Sequence, residues 1–249
     1  MSADIAIRVR GLVTRFGPQT VHNGLDLDVR HGEVLGVVGP SGCGKSVLLR
    51  EITGLDAPTE GEITFPRAVD GRTPRMGVMF QDGALFSNLT VLENVEAPLR
   101  EQVKLSDDLR AEIAALKLSM AGLGPEAHHK RPSQISGGMR KRAAVARALA
   151  LDPELLFLDE PTAGLDPIGA EKFDRMVREL ADALGLTVFL VTHDLDTLYA
   201  VCDRVAVLHG GKVAAIGTIA EVSAGASGWV KDYFSGPRGR AAAHSAGGG

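Results

Sequence analysis

The densest chemistry in this chain sits in Gly39-Pro40-Ser41-Gly42-Cys43-Gly44-Lys45-Ser46. The run matches G-x-x-x-x-G-K-[ST], the P-loop pattern, at every fixed position. Its glycines let backbone N–H groups turn inward around phosphate oxygens, and a helix starting at the loop adds positive potential. In such a loop Lys45 reaches the β- and γ-phosphates and Ser46 holds Mg²⁺. A chance glycine turn could meet the spacing alone, but the flanks argue against it. Val34-Leu35-Gly36-Val37-Val38 reads as a buried strand, and Ser46 to Ile52 as a helix ended by Gly54.

A second cluster is Leu155-Leu156-Phe157-Leu158-Asp159-Glu160. An apolar strand there delivers Asp159 to its C-terminal end, beside the P-loop, where it orders Mg²⁺ through water. Glu160, one step further, polarises an attacking water as general base. An acid pair capping a strand end is the ordinary alternative; next to a complete P-loop it is the weaker one. Phe16, in a predicted loop Arg15-Phe16-Gly17, is either an adenine-stacking platform or a core phenylalanine.

These residues need a scaffold, and the pattern supplies one. Ile5 to Val9 and Leu25 to Arg30 alternate as strands, the second apolar against charged like a half-exposed antiparallel strand. Gly61 to Phe65 and Met76 to Phe80 read as strands, with Gln81 directly after. Thr90-Val91-Leu92-Glu93 is a capping box. Leu109, Ile113, Leu116 and Met120 lie at helical spacing and predict the apolar face of a helix closed by Gly122. Residues 88 to 150 therefore read as a helical subdomain inserted between strands. Phe173 to Leu184 predicts an amphipathic helix capped by Gly185, and Leu186 to Val191 the next strand, leading to His193. Arg204 to Leu208 and Lys212 to Ile216 predict a hairpin turning at Gly210-Gly211, and Thr218 to Glu221 a second capping box. The expected class is α/β, a P-loop core with an antiparallel edge sheet and a helical insert.

Composition narrows the rest. The chain has 249 residues, 45% hydrophobic and 23% charged, ordinary for a globular protein. Its net charge of -4, from 27 basic and 31 acidic residues, gives no support for a nucleic-acid partner. Two cysteines, one of them Cys43 inside the phosphate loop, fit a reducing compartment. No apolar run approaches the roughly 20 residues of a membrane helix, and Met1 to Arg10 has no signal-peptide core. The expected location is cytoplasmic, with any membrane role exercised by docking.

Taken in order, these motifs resemble the ATP-binding cassette (ABC) ATPases over residues 5 to 225. Ile135-Ser136-Gly137-Gly138-Met139 is similar to that family's L-S-G-G-Q signature, which closes on the γ-phosphate held by another subunit. A Ser-Gly-Gly helix start also makes physical sense as an anion site. By the same resemblance Gln81 is the Q-loop residue contacting Mg²⁺, water and the membrane partner. Asp166, in Ala163-Gly164-Leu165-Asp166, belongs to the D-loop crossing the dimer interface, and His193 is the switch histidine. Met139 stands in place of the usual glutamine, and Phe16 where tyrosine is common; stacking needs only the ring. With Glu160, His193, Gln81 and Lys45 all present, the resemblance implies hydrolysis of ATP rather than binding alone. The remaining histidines, His22 among them, show no metal-ligand grouping.

A narrower resemblance joins Ser136 to Arg142 and Glu160 to Ile168 to the ATPases of bacterial Mce/Mla phospholipid-transport systems. It implies a homodimer on the cytoplasmic face of the inner membrane. The implied partners are an integral-membrane permease, a small STAS-domain protein and a periplasmic Mce-domain protein. Two other readings stay open: a soluble ABC ATPase acting on ribosomes or DNA, and a transporter subunit for another cargo. Residues 226–249 read as a C-terminal helix with a flexible Gly/Ala-rich tail from Gly236. In that helix Trp229 and Tyr233, like Val230 and Phe234, are four apart and make an apolar face. That face packs either on its own domain or on a second subunit or small partner.

Overall fold

The computed structural model describes residues 4–66, 72–225 and 228–235. The chain opens with β1 (Ile5–Phe16), β2 (Gln19–Arg30), β3 (Val34–Val38), α1 (Lys45–Ile52) and β4 (Glu60–Thr64). There follow β5 (Met76–Met79) and the helices α2 (Val91–Gln102), α3 (Asp107–Met120), α4 (Pro125–His128) and α5 (Gly137–Ala148). Next come β6 (Leu155–Asp159), α6 (Pro167–Leu184), β7 (Thr187–Val191) and α7 (Leu195–Val201). β8 (Arg204–His209), β9 (Lys212–Gly217), α8 (Ile219–Ala224) and α9 (Gly228–Ser235) close the described chain. Two compact units emerge, Met1–Thr73 with Thr187–Gly249, and Pro74–Leu186. No helix among the described residues is long and apolar enough to cross a membrane.

In the first unit β2, β1 and β4 form an antiparallel sheet in that order. Leu25, Leu27 and Val29 of β2 are buried while Asp26 between them is exposed, as the alternation predicts. β3 runs parallel to β7 on one side and β8 on the other, so all five of its residues are buried. β8 and β9 make the predicted hairpin, with Gly210 and Gly211 at φ 60 and 76. A Cβ on Gly36 of β3 would stand 2.6 Å from Leu198 Cδ2 and 2.8 Å from Cys202 Sγ. The sheet therefore needs that glycine to let α7, a helix the pattern did not reveal, lie directly on β3. The C-terminal helix α9 packs on its own unit. Val230 and Phe234 are buried with Val38, Leu195, Leu198 and Val222. The predicted flexible tail from Gly236 lies outside the described residues.

In the second unit β5 pairs in parallel with β6, Met76 opposite Leu155 and Met79 opposite Leu158. Helices α2 to α5 lie between these strands in sequence. The predicted capping box opens α2, Thr90 Oγ1 accepting from Glu93 N–H and Glu93 from Thr90 N–H. Asp166 and Gly185 bound α6 at its two ends.

Two expectations are corrected. Arg15 and Phe16 end strand β1 instead of forming a loop. The apolar face predicted for α3 is not the buried one: Leu109 and Leu116 are exposed, and Ala114, Lys117 and Leu118 are buried. α3 packs on α2 and α5 through a stripe that includes two basic side chains. The Lys117 stem is buried with its ammonium on Asp152, and Arg110 pairs with Glu96. Long basic side chains cover apolar surface with their stems while their charge stays paired or wet, so charge in the sequence hides a buried face. Replacing fully buried Leu118 with Ala should cost about 2–5 kcal/mol. Leu116→Ala, on the face the spacing favours, should change stability by about 0.5 kcal/mol or less. Chemical denaturation midpoints of the two variants check this.

Candidate functional site

The phosphate loop is built by steric exclusion. β3 ends at Val38, and at Gly39 a Cβ would lie 2.4 Å from the Leu208 carbonyl oxygen and 2.7 Å from Cys43 Sγ. Gly44 has φ 99, a left-handed conformation that L side chains rarely adopt. A Cβ there would meet His22 Nε2 and Val21 Cγ1, each at 2.5 Å. Gly44 caps α1, and its carbonyl accepts from Leu48 N–H at 2.8 Å. Lys45 Nζ donates to the Gly39 and Pro40 carbonyls at 2.9 and 3.1 Å, so the ammonium lies across the loop. Ser46 is exposed in the first turn of the helix. Burial pushes the Cys43 thiol above its ordinary pKa, which suits a packing group and not a reactive thiolate.

Beneath this loop lies a buried polar cluster that the sequence did not announce. Thr14 Oγ1 donates to Glu51 Oε1 at 2.7 Å. His22 Nδ1 lies 2.8 Å from Thr14 Oγ1 and 3.3 Å from Glu51 Oε2, and its Nε2 N–H donates to the Gly44 carbonyl at 3.2 Å. The His22 and Glu51 side chains are fully buried. Residues 14, 22 and 51 come from β1, β2 and α1, so no spacing rule links them.

Two more sequence-predicted residues belong to the first unit. Phe16 is 53% exposed at the end of β1, which rules out the core alternative. His193 follows β7 and is exposed, and its carbonyl accepts a hydrogen bond from the Tyr233 hydroxyl of α9 at 3.0 Å.

The second unit carries the others. All five residues of β6 are buried, ending in Asp159 at 8% exposure. Glu160 has φ 48, a left-handed conformation that costs a non-glycine residue about 1–3 kcal/mol and marks functional turns. Ser136 caps α5, its Oγ accepting from Met139 N–H at 3.2 Å. Asp166 caps α6, its Oδ1 accepting from Gly169 N–H at 2.9 Å. Gln81 is exposed just past β5. A cavity of about 550 Å³ brings Gln81, Asp82, Gly137, Lys141, Gly164 and Leu165 to one place.

The basic run Arg140-Lys141-Arg142 makes no surface patch. Arg140 donates to the Pro132 and Ile135 carbonyls, and Arg142 to those of Ala121 and Lys172. Lys141 is 8% exposed, and its Nζ donates to the carbonyls of Gln81 and Glu160. Arg147, also on α5, donates to the Gly83 and Ala84 carbonyls at 2.8 and 2.7 Å. The helix that begins at Ser136 thus grips the segment that carries Gln81. Sequence reasoning passed over Lys141 because it sat between two arginines.

The sequence reading offers three metal donors, the Ser46 hydroxyl in the first unit and the Gln81 amide oxygen and Asp159 carboxylate in the second. All are hard oxygen ligands of the kind that Mg²⁺ takes in small number beside substrate phosphates. No group of three His, Cys, Asp or Glu able to hold a metal occurs among the described residues.

The family model described as "ABC transporter" matches residues 22–163, more than half the chain. The chain is 38% identical to the intermembrane phospholipid transport system ATP-binding protein MlaF of Haemophilus influenzae over 85% of this chain and 83% of that protein. It is also 38% identical to a probable ribonucleotide transport ATP-binding protein, mkl, of Mycobacterium leprae, over 84% of this chain but 62% of that protein. Among solved structures it resembles the dimeric post-hydrolysis state of the ATP-binding cassette MJ0796 bound to ADP and Pi. That match has a TM-score of 0.76 and 32% identity, over 86% of this chain and 98% of that one.

Lys45→Ala removes an ammonium aimed into the loop. A lost charge-assisted contact of about 1.5–3 kcal/mol predicts ATP binding weakened by about 10- to 100-fold, read by equilibrium titration.

Proposed function

This chain belongs to the ABC transporter family of ATP-hydrolysing subunits, and on that premise we propose that it powers phospholipid transport between bacterial membranes. The observation that carries this cargo is the length of the likeness. The chain spans most of the Haemophilus phospholipid-system protein but under two thirds of the mycobacterial one at the same identity. The name of that second relative favours the rival reading, a transporter subunit for another cargo.

In this reading residues 5–225 are the ATPase domain, with a helical subdomain at about 88–150 and residues 226–249 as an appended helix and tail. The loop Gly39 to Ser46 binds the ATP phosphates, Lys45 bears on the β- and γ-oxygens, and the exposed ring of Phe16 stacks on adenine. Glu160 is the general base: its carboxylate accepts the proton of the water that attacks the γ-phosphate. Gln81 orients that water, and His193 contacts the γ-phosphate. Mg²⁺, when bound, would be held by Ser46, Gln81 and Asp159 and would neutralise charge on the phosphates.

Ser136, Gly137 and Gly138 serve the nucleotide of a second copy, so the working unit is a homodimer with Asp166 at its interface. Support comes from what the glycines do not do. A Cβ on Gly137 or Gly138 would approach no described atom outside the helix's own backbone and neighbours closer than 3.8 Å, so packing within the chain does not require glycine. A close approach by a second copy would require it. The dimer sits on the cytoplasmic face of the inner membrane through permease subunits, which dock around Gln81. A STAS-domain protein and a periplasmic Mce-domain protein complete the assembly.

Glu160→Gln should bind ATP normally and turn over at least about 100-fold more slowly, because the amide keeps the shape and loses the basic oxygen. Single-turnover hydrolysis at the wild-type rate would remove Glu160 from the role. For the cargo, loss of the gene should shift phospholipid distribution between membranes and raise detergent sensitivity. An unchanged distribution would leave the ATPase with another cargo.

A further inference from the structure

We propose that Lys141 is a positioning residue for ATP hydrolysis, its buried ammonium tying the backbone at Gln81 to the backbone at Glu160. The inference rests on the reading of those two residues given above. Lys141 Nζ donates to both carbonyls, the Glu160 bond being 3.2 Å long. The two acceptors are 79 residues apart in sequence, and each belongs to a residue whose side chain is assigned to the attacking water. A carbonyl acceptor is backbone, so what Lys141 fixes is where the two side chains start.

Three observations argue for more than filling space. Lys141 is 8% exposed, and a buried cation is tolerated only where acceptors meet it. The acceptors it meets come one from the segment after β5 and one from the turn after β6. Glu160 holds a left-handed backbone at φ 48, and such strain persists only where the surroundings enforce it. Ala163 N–H shares the Glu160 carbonyl at 3.2 Å and makes the local turn. Lys141 links that turn to the segment after β5. Arg147 on the same helix holds the Gly83 and Ala84 carbonyls of that segment, so α5 grips it at Gln81, Gly83 and Ala84.

The test measures steady-state ATPase rates of the full chain with ATP affinity and thermal midpoint alongside, for Lys141→Met, Lys141→Gln, Lys141→Arg and Glu160→Gln. Lys141→Met keeps length and loses the donor. It should lower kcat by about 10- to 100-fold, the scale of a misplaced catalytic group. KM for ATP should stay within about threefold, because the phosphate loop is untouched. Lys141→Arg, which can donate to two carbonyls, should recover part of the loss. Lys141→Gln, whose shorter amide reaches one carbonyl and not both, should fall between and stands in if the Met variant does not fold. Wild-type kcat in either neutral variant, with Glu160→Gln inactive, overturns the proposal and leaves the reading beneath it intact. A joint fall of kcat, affinity and thermal midpoint that Arg does not recover also overturns it, making Lys141 ordinary fold support. A Glu160→Gln enzyme at the wild-type rate overturns the underlying reading instead.

Discussion

A strand buried on both faces can present a polar side chain only where it ends, and this constraint organises the molecule. β3, β6 and β7 are each five residues long and buried throughout. Each is followed within two residues by candidate site residues: the glycine loop after β3, Glu160 after β6, His193 after β7. The same logic places ligands at the carboxyl ends of parallel strands generally. It also explains why the turns are backbone oddities. A chain leaving a fully packed strand must turn quickly, and the left-handed φ of Glu160, the residue directly after β6, is such a turn.

Holding these turns falls to buried polar groups, most of them bonded to backbone carbonyls. His22 and Glu51 sit under Gly44, Lys141 lies between Gln81 and Glu160, and Asn94 ties the segment after Gln81 to α2. The Asn94 amide accepts from Phe86 N–H at 2.7 Å and donates to the Phe86 and Thr90 carbonyls at 3.1 and 2.8 Å. Such groups stabilise little in net terms but are costly to orphan, so they specify one arrangement of the loops. Apolar packing, which carries most of the stability, is indifferent to angstrom-scale loop position by comparison.

The C-terminal helix joins these two kinds of support. Val230 and Phe234 bury an apolar stripe against α7, β8 and α8. Tyr233, between them in sequence, offers its hydroxyl to the His193 carbonyl. A segment that looks like an appendage in sequence is therefore part of the first unit's core and touches the loop of a candidate site residue.

The sequence alone determined the family and most of the strands and helices, α4 and α7 excepted, and it named the candidate site residues. These depend on local facts: glycine spacing, apolar runs, and the capping boxes at Thr90 and Thr218, which form as read. Periodicity could say that α3 is a helix but not which of two stripes faces its neighbours, since the buried stripe carries Arg110 and Lys117. Only tertiary structure decided that Phe16 is exposed and that α9 packs inward. Only it brought Thr14, His22 and Glu51 together, and made Lys141 a link between two loops. The physical reason is common to all four. A contact between residues distant in sequence depends on how elements pack, and side-chain type states what a residue can do but not what it will meet.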